Sequence, residues 1–327
     1  MKKIFLLVIC LVMVGIQSVK AQVAIAALHH NDSVKIYSAA HIQTAVDAAV
    51  AGDTIYLSEG IFGGFTVTKP IVIIGAGQTT NISSGVTIGK SGNTIEDGLL
   101  LSGLNFIQNV SFSGTVSGVR ISQCKISGDC SFHAGSSGDN YTNIEILMSH
   151  IVGTLNFKAT SGAIGLQGIT VTNTKIGLVR YGAVGEGGST FVNCNVNDAS
   201  NSGSADNSSR NNTYVNCIIN NANQGVFKNC LYNVCNSNGD STGTYAVPVD
   251  CYQASTTFSF NDNLDSPHTD EELRQAGYLG VDGTVVGITG GDVPFTLVSS
   301  GLQVTEHNIE VDNVGKKLKV TLTLGNK

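Results

Sequence analysis

The chain of 327 residues has no tryptophan, only 4 prolines and only 13% charged residues. So few charges exclude a disordered polyelectrolyte and a helical coiled coil. Glycine is plentiful instead: there are 39 residues, which is about 12% against roughly 7% in ordinary proteins. This balance indicates turn-rich β structure and disfavours a helix bundle.

Long apolar runs are also absent, except for one near the start of the chain. This run, Ile4 to Ile16, follows two lysines and is shorter than the ~20 residues that a membrane-spanning helix needs. It predicts a cleaved secretory signal peptide over residues 1–21, with a signal anchor as the alternative. We therefore expect an exported protein, in the periplasm, on the outer surface or outside the cell, with no transmembrane segment in the mature chain.

Export also changes the charge and the cysteine count. Removing the three lysines of the signal peptide from the 18 basic residues leaves 15 against 24 acidic residues, a net charge of −9. Such acidity disfavours nucleic acid and anionic membranes as partners. Seven of the 8 cysteines remain, and an odd number cannot all pair. Because their spacing lacks CxxC and Cys/His patterns, neither a metal nor another cofactor is expected.

An eight-residue pattern recurs seven times in the middle of the chain. Its copies start at Leu99, Val119, Ile144, Ile169, Ser189, Asn212 and Gly225. The third position is always large and apolar or aromatic, as a core column requires: Leu101, Ile121, Ile146, Val171, Phe191, Tyr214 and Phe227. The fifth position holds Gly103, Gln123, Met148, Asn173, Asn193, Asn216 and Asn229. Asparagine tolerates the left-handed turn conformation, and stacked amides can bond to one another, so an asparagine ladder is expected at the fifth position.

A second strand follows the pattern in the first four copies. Its inward pairs are Val110/Phe112, Cys130/Phe132, Leu155/Phe157 and Val179/Tyr181, and we expect the four aromatic rings to form one stack. At the sixth position, Cys194 and Cys217 are expected to be buried and unpaired. Side chains stacked at strand spacing hold their Cβ atoms beyond the ~3.5–4.5 Å that a disulfide requires.

Short strands that repeat every 20 to 25 residues between Gly and Asn turns are typical of a parallel β-solenoid. The sequence therefore predicts an all-β fold, a right-handed parallel β-helix. A left-handed hexapeptide helix needs a strict short period that these offsets lack. A leucine-rich repeat needs leucines at fixed offsets, and leucine is sparse here.

The residues before the repeats carry a family resemblance. Apolar residues at helical spacing between His41 and Val50 predict a short N-terminal capping helix, and Gly52-Asp53-Thr54-Ile55 follows it. The N-terminal segment from His41 to Ile55, with the segment from Lys69 to Gly77, resembles the pectate-lyase-like superfamily of secreted right-handed parallel β-helix proteins. Residues from Asp282 to Phe295 resemble the closing segment of its Bacteroidota-type members. The superfamily includes lyases, hydrolases, esterases and adhesins, so the resemblance does not decide the function.

The domain organisation follows from these patterns. We expect a signal peptide at 1–21, a parallel β-helix with its N-terminal cap at 22–262, and a C-terminal closing segment at 263–327. Both ends need covers, because an open terminal coil exposes backbone donors and acceptors and would aggregate.

Carboxylates are too few for the commonest chemistry of such a scaffold. A glycosidase needs two carboxylates that flank the scissile bond, but between residues 99 and 232 only Glu145 among the acids falls at an outward strand position. A calcium-assisted lyase needs a carboxylate cluster to hold the ion, and none is apparent. Ser149 and His150 have no triad companion at a readable spacing. Hydrolysis, calcium binding and nucleophilic catalysis are therefore not expected.

Two short basic stripes are predicted on this otherwise acidic protein. The seventh position of the repeat supplies Lys125, His150 and Lys175, which are the candidate substrate-binding residues. Outward positions of the second strand supply His133, Lys158 and Arg180, which are catalytic candidates only if the protein is a lyase. Such a lyase would neutralise a uronate carboxylate with these cations and remove its α-proton. Alternatively, the stripes are simply solvated side chains that keep a sheet soluble.

Asparagine suggests a binding function as well as a turn-forming one. Fifteen asparagines lie between Asn193 and Asn238, and those in 195–201 and 220–223 are expected in exposed loops, where amides can bond to sugar hydroxyls. The leading interpretation is an exported, non-catalytic β-helix that binds a polysaccharide or cell-surface glycan, or serves as an adhesin-like structural module. The alternative is a polysaccharide lyase that cleaves a uronate-containing glycan by β-elimination.

Overall fold

The computed structural model of the chain describes residues 23–132, 139–157, 165–180, 189–199, 212–223, 225–235, 246–297, 303–312 and 317–325. The described part starts with a cap. Strands β1 (Ile25–His30) and β2 (Ser33–Ser38) form an antiparallel hairpin. A 3₁₀ turn (Ala39–His41) leads into helix α1 (Ile42–Ala48), which buries apolar side chains spaced along one side. The predicted capping helix is therefore present.

The strands that follow are short, and nearly all of them belong to one solenoid. The first half comprises β3 (Thr54–Leu57), β4 (Gly60–Phe62), β5 (Thr66–Val67), β6 (Val72–Ile74), β7 (Thr80–Ile82), β8 (Val86–Ile95), β9 (Leu99–Ser102), β10 (Asn105–Phe106), β11 (Val110–Ser117), β12 (Val119–Ser122), β13 (Lys125–Ile126) and β14 (Cys130–Phe132). The second half comprises β15 (Asn140–Leu147), β16 (His150–Asn156), β17 (Gly165–Thr172), β18 (Lys175–Arg180), β19 (Ser189–Val192), β20 (Asn195–Ala199), β21 (Thr213–Val215), β22 (Ile218–Ala222), β23 (Gly225–Lys228), β24 (Leu231–Cys235), β25 (Ala246–Val249) and β26 (Tyr252–Gln253).

From β3 to β26, the strands pair in parallel with their equivalents in the next coil and form three faces. A short fourth column joins the ends of β8 and β11 to the starts of β15 and β17. Face 1 contains β3, β6, β9, β12, β15, β17, β19, β21, β23 and β25. Face 2 contains β4, β7, β10 and β13, then the first parts of β16, β18, β20, β22 and β24, and finally β26. Face 3 contains β5, β8, β11 and β14, then the later parts of β16, β18, β20, β22 and β24. The prediction of an all-β chain with a parallel β-solenoid and a short N-terminal helix is confirmed.

Each coil has one strand more than the sequence pattern predicts. The eight-residue pattern does not form a single strand, because its fifth residue has a positive φ, from 45° at Asn173 to 63° at Gly103. This left-handed residue bends the chain. Positions one to four therefore lie on face 1, and positions seven and eight start face 2.

Aromatic side chains stack in the interior of the solenoid. The rings of Phe112 and Phe132 are 4.3 Å apart between centroids, and those of Phe132 and Phe157 are 5.2 Å apart. Both pairs are stacked, as predicted, while Tyr181 lies outside the described residues. The third position of the repeat adds a second stack, in which the Tyr214 ring lies 4.6 Å from that of Phe191.

The sixth position of the repeat forms a hydrogen-bonded column. Its members donate through Sγ or Oγ to the carbonyl oxygen two residues earlier, for example Cys194 to Val192 at 3.3 Å. Five of them, Ser149, Thr174, Cys217, Cys230 and Cys251, also accept from a backbone N–H of the preceding coil, as Cys217 accepts from Cys194 at 3.4 Å. We call this set the thiol–hydroxyl column: Cys124, Ser149, Thr174, Cys194, Cys217, Cys230 and Cys251. The predicted burial of Cys194 and Cys217 as free thiols is confirmed.

The chain then turns back along the side of the solenoid. We call residues 258–297 the strap; it contains helix α2 (Asp270–Gln275), whose N-terminus is closed by a capping box of Thr269 and Glu272. After the strap, β27 (Gln303–Asp312) and β28 (Lys317–Gly325) form a separate antiparallel hairpin. Within the described residues, no helix has the length and apolar character needed to cross a membrane.

Candidate functional site

The predicted basic stripe is present in register. Lys125 pairs with His150, and His150 pairs with Lys175, on neighbouring strands of face 2. However, His150 is only 3% exposed and Lys175 only 6% exposed, whereas Lys125 is half-buried. The three side chains lie at outward positions, as expected, but the expectation that they are solvated is wrong for His150 and Lys175.

The strap covers the stripe. The Lys175 ammonium forms an ion pair with Asp265 and lies 4.5 Å from the centre of the Phe295 ring. Burial, and then the charges of Lys175 and Lys125, lower the pKa of His150 to about 4. Substrate binding by these three residues stays a prediction, and it would require the strap to move away.

The catalytic candidates are described only in part. His133 and Lys158 lie outside the described residues. Arg180 is half-buried at the end of β18, where it pairs with Asn156 of the preceding coil. Of the three, only Arg180 can be placed in the solenoid.

The turn asparagines bind the strap and do not form the expected ladder. Asn173 donates through Nδ2 to the carbonyl oxygens of Ile288 at 3.2 Å and Gly290 at 2.9 Å. Asn216 accepts from the backbone N–H of Val281 at 3.0 Å. Their amides are used to hold another segment of chain, so the prediction of bonds between them is wrong.

An amide ladder exists in a different column. Asn220 donates to Asn197 at 3.1 Å, and Asn233 donates to Asn220 at 2.7 Å. Asn233 then exchanges two hydrogen bonds with the backbone of Phe258. The described part of the expected loops 195–201 and 220–223 thus lies mostly in strands β20 and β22, which corrects the loop assignment.

Glycines of the strap allow it to approach the turn asparagines closely. A Cβ on Gly280 would lie 2.5 Å from the Asn216 side chain, and one on Gly291 would lie 2.3 Å from that of Asn193. Any larger residue would push the strap away from the coils. This packing gives a physical reason for the glycines at positions 280 and 291 of the strap.

An open groove lies on face 1. The fifth-position turn residues separate it from face 2, where the strap covers the basic stripe. At the centre of the groove, Arg120 of β12 reaches Glu145 of β15, with Nε at 2.7 Å and Nη2 at 2.6 Å from Oε2. The two residues are paired in the strand register and about half exposed. Exposed ion pairs contribute only ~0–1 kcal/mol to stability, so the fold does not depend on this one.

The groove has a polar part and an apolar part, which share Arg120, Glu145 and Thr170. The polar part has a volume of about 580 Å³ and also contains Asp97 and Asn143. The apolar part has a volume of about 330 Å³. It is lined by Leu147, Met148, Thr172 and Asn173 of the solenoid and by Val293 of the strap. We call the whole feature the outer groove.

Sequence reasoning identifies Met148 and Asn173 only as turn residues, and one further residue of this groove by its charge. Glu145 was recognised as an outward carboxylate, but its partner Arg120 occupies the same second position in the previous copy of the repeat. Opposite charges at matching positions of neighbouring strands attract, so that spacing was a usable signal. Asp97 precedes the first copy, and Val293 is distant in sequence; neither carried such a signal.

The geometry of the strands assigns the chain to the parallel β-solenoids. Across the described residues, no group of three or more His, Cys, Asp or Glu side chains could hold a metal ion. Comparisons with protein-family models, with curated proteins and with solved structures find no match to this chain.

Proposed function

We propose that the chain is an exported, non-catalytic right-handed β-helix protein of the pectate-lyase-like superfamily that binds carbohydrate through the outer groove. An adhesin-like role at the cell surface is the context that fits such binding. The observation that carries the proposal is the outer groove itself. It combines a donor, several acceptors and an apolar wall on a rigid surface.

Sugars require this combination. A pyranose ring has hydroxyl groups at its rim and C–H groups on its faces, so its binding sites mix a few placed polar groups with apolar contacts. In the outer groove, Arg120 donates, Asp97 and Glu145 accept, and Leu147 and Val293 supply apolar surface. Because Arg120 and Glu145 sit on paired strands, they are held in place before a ligand arrives.

The same residues favour binding over bond cleavage. Glu145 is bound by Arg120, and Asp97 accepts a hydrogen bond from the Ser117 hydroxyl at 3.2 Å. Hydrolysis needs one carboxyl group as an acid and a second as a base or nucleophile. Two carboxylates that already accept hydrogen bonds act as acceptors for ligand hydroxyls.

The lyase alternative depends on residues away from the groove. Two cations proposed for it, His150 and Lys175, lie beneath the strap. Export rests on the signal peptide pattern in residues 1–21, and the superfamily rests on the resemblance of residues 41–77.

A glycan array probed with the purified exported chain tests the binding function. We expect retention of glycans, with loss of retention in Arg120→Ala and no loss in Lys228→Ala, an exposed cation of the same face. Incubation with pectate, alginate and glycosaminoglycans in the presence of a chelator should give no rise in unsaturated-product absorbance. Metal-independent product formation, abolished in folded Lys158→Ala or Arg180→Ala, would establish the lyase instead.

A further inference from the structure

The charge of the outer groove restricts what it can bind. Its charged lining residues are Asp97, Arg120 and Glu145, which leave one net negative charge on a chain that is itself acidic, at −6. Uronate and sulfated polymers carry a negative charge on many of their sugars and would be repelled. Among the described lining residues, no second cation offsets this repulsion.

The Arg120–Glu145 pair leaves part of each group open. Both nitrogens of the contact, Nε and Nη2, approach the same oxygen, Oε2. Within the described part of the chain, Nη1 of Arg120 and Oε1 of Glu145 have no other protein partner. A donor and an acceptor are therefore carried by adjacent strands, whose backbones lie ~4.8 Å apart. This arrangement suits neighbouring hydroxyl groups of a sugar, each of which donates and accepts.

The strap supplies one wall of the site. Val293 is 58% exposed and faces the apolar part of the groove, opposite Leu147 and Met148. The strap is held at this place by the two hydrogen bonds from Asn173 to Ile288 and Gly290. The width of the groove is therefore set by where the strap docks.

We propose that the outer groove binds neutral glycan chains, with one sugar's hydroxyls on Arg120 and Glu145 and its C–H face on Val293. The proposal rests on the carbohydrate-binding function and narrows it to uncharged polymers. In this proposal the strap has two roles: it covers face 2, and it supplies one wall of the binding site.

Binding to immobilised polymers tests this assignment. The probes are neutral cellulose, xylan and mannan oligosaccharides, anionic polygalacturonate and alginate, and cationic chitosan. We expect retention on at least one neutral probe and none on the anionic ones. Val293→Asp places a charge on the apolar wall and should weaken retention about tenfold or more.

A matched control lies on the same strap. Val281 is 69% exposed and lies outside the groove lining, so Val281→Asp adds the same charge without touching the site and should retain the neutral probe. Stronger retention of anionic or cationic probes than of neutral ones would overturn the neutral-glycan assignment while leaving carbohydrate binding intact. Equal retention by Val293→Asp and Val281→Asp would overturn the place of the site. Retention of no probe at all would contradict the proposed function itself.

Discussion

The coils before residue 160 and those after residue 165 share a turn but not the residue that makes it. Gly103, Gln123 and Met148 form the turn at φ values of 63°, 54° and 47°, and the later asparagines form it at values from 45° to 55°. The backbone conformation alone therefore does not require asparagine. Two of the four later asparagines, Asn173 and Asn216, use their amides to bind the strap, which is a second role for this residue type.

Face 2 shows the same division. In the early coils its outward residues are polar and only partly covered, as at Asn105 and Lys125. In the late coils the column continues with Ile218 and Leu231, which pack with Phe258 of the strap in a second hydrophobic cluster. The late half of the solenoid thus has an interior core and an exterior one, whereas the early half relies on its interior core.

The interior core should respond alike in both halves, and its loss should give the largest effect. Phe132→Ala in the early half and Phe191→Ala in the late half each remove a fully buried ring. We expect a loss of ~3–5 kcal/mol in the free energy of unfolding for each, measured by chemical denaturation. Ser111→Ala, on a half-buried serine of β11, is the control. A Phe132→Ala effect no larger than this control would contradict the stacking register.

The covered stripe should make stability depend on pH. His150 has its folded pKa lowered to about 4 from 6.5, so the unfolded state binds a proton first as the pH falls. Stability should therefore decrease from about pH 6.5 down to about pH 4, by ~3 kcal/mol at most, and then level off.

Replacing His150 tests this dependence. His150→Gln should flatten the decrease between pH 6.5 and 4, whereas His29→Gln, at an exposed histidine, should not. Asp265, whose pKa is lowered chiefly by its hydrogen bond from Lys175, contributes stability that is lost at still lower pH. Denaturation midpoints are measured across this range in the unchanged protein, His150→Gln and His29→Gln. A curve for His150→Gln that runs parallel to that of the unchanged protein would contradict the role of His150.

Removing single strap contacts should have an intermediate effect. Asn216→Gly keeps the positive φ accessible but deletes the acceptor for Val281, so we expect a loss of ~1–3 kcal/mol. Asn229→Gly is the matched variant, because Asn229 has a φ of 50° and makes no hydrogen bond to the strap within the described residues. Its loss should be smaller by about 1 kcal/mol or more. Equal losses would show that both asparagines serve the turn alone.

Exchange within the thiol–hydroxyl column should have the smallest effect. The column already contains Ser149 and Thr174 between its cysteines, so Cys194→Ser keeps the side-chain donor to the Val192 carbonyl and should cost less than ~1 kcal/mol. Cys194→Val removes this donor and should cost more. Burial raises the pKa of Cys124 and Cys130 to about 12, so these thiols should resist alkylation in the native protein. A Cys194–Cys217 disulfide found by mass spectrometry would contradict the column.

Most of the solenoid was predictable because its repeat is visible along the sequence. The core column, the aromatic stack and the buried cysteines all follow from residues about 20 to 25 positions apart. The strap was predictable only as a closing segment, since nothing local indicates that Ile288 meets Asn173. For the same reason, the burial of His150 and Lys175 and the wall supplied by Val293 could not be inferred. Outward positions were identified correctly, but their exposure depends on a distant part of the chain.

The number of residues between Asn173 and its partners in the strap also bears on the order in which the protein folds. Asn173 bonds to residues 115 and 117 positions later, whereas coil-to-coil bonds such as that between Cys124 and Ser149 span 25 positions. Longer loops cost more chain entropy to close and form more slowly, so we expect Ile288 and Gly290 to dock on Asn173 after the coils have stacked. The start of the strap can dock earlier, because Phe258 bonds to Asn233 only 25 positions before it. If the chain is exported, as we propose, it would pass during folding through a stage with stacked coils and a Lys175 that Asp265, 90 positions later, does not yet cover. In that interval, face 2 is open to contact with another molecule.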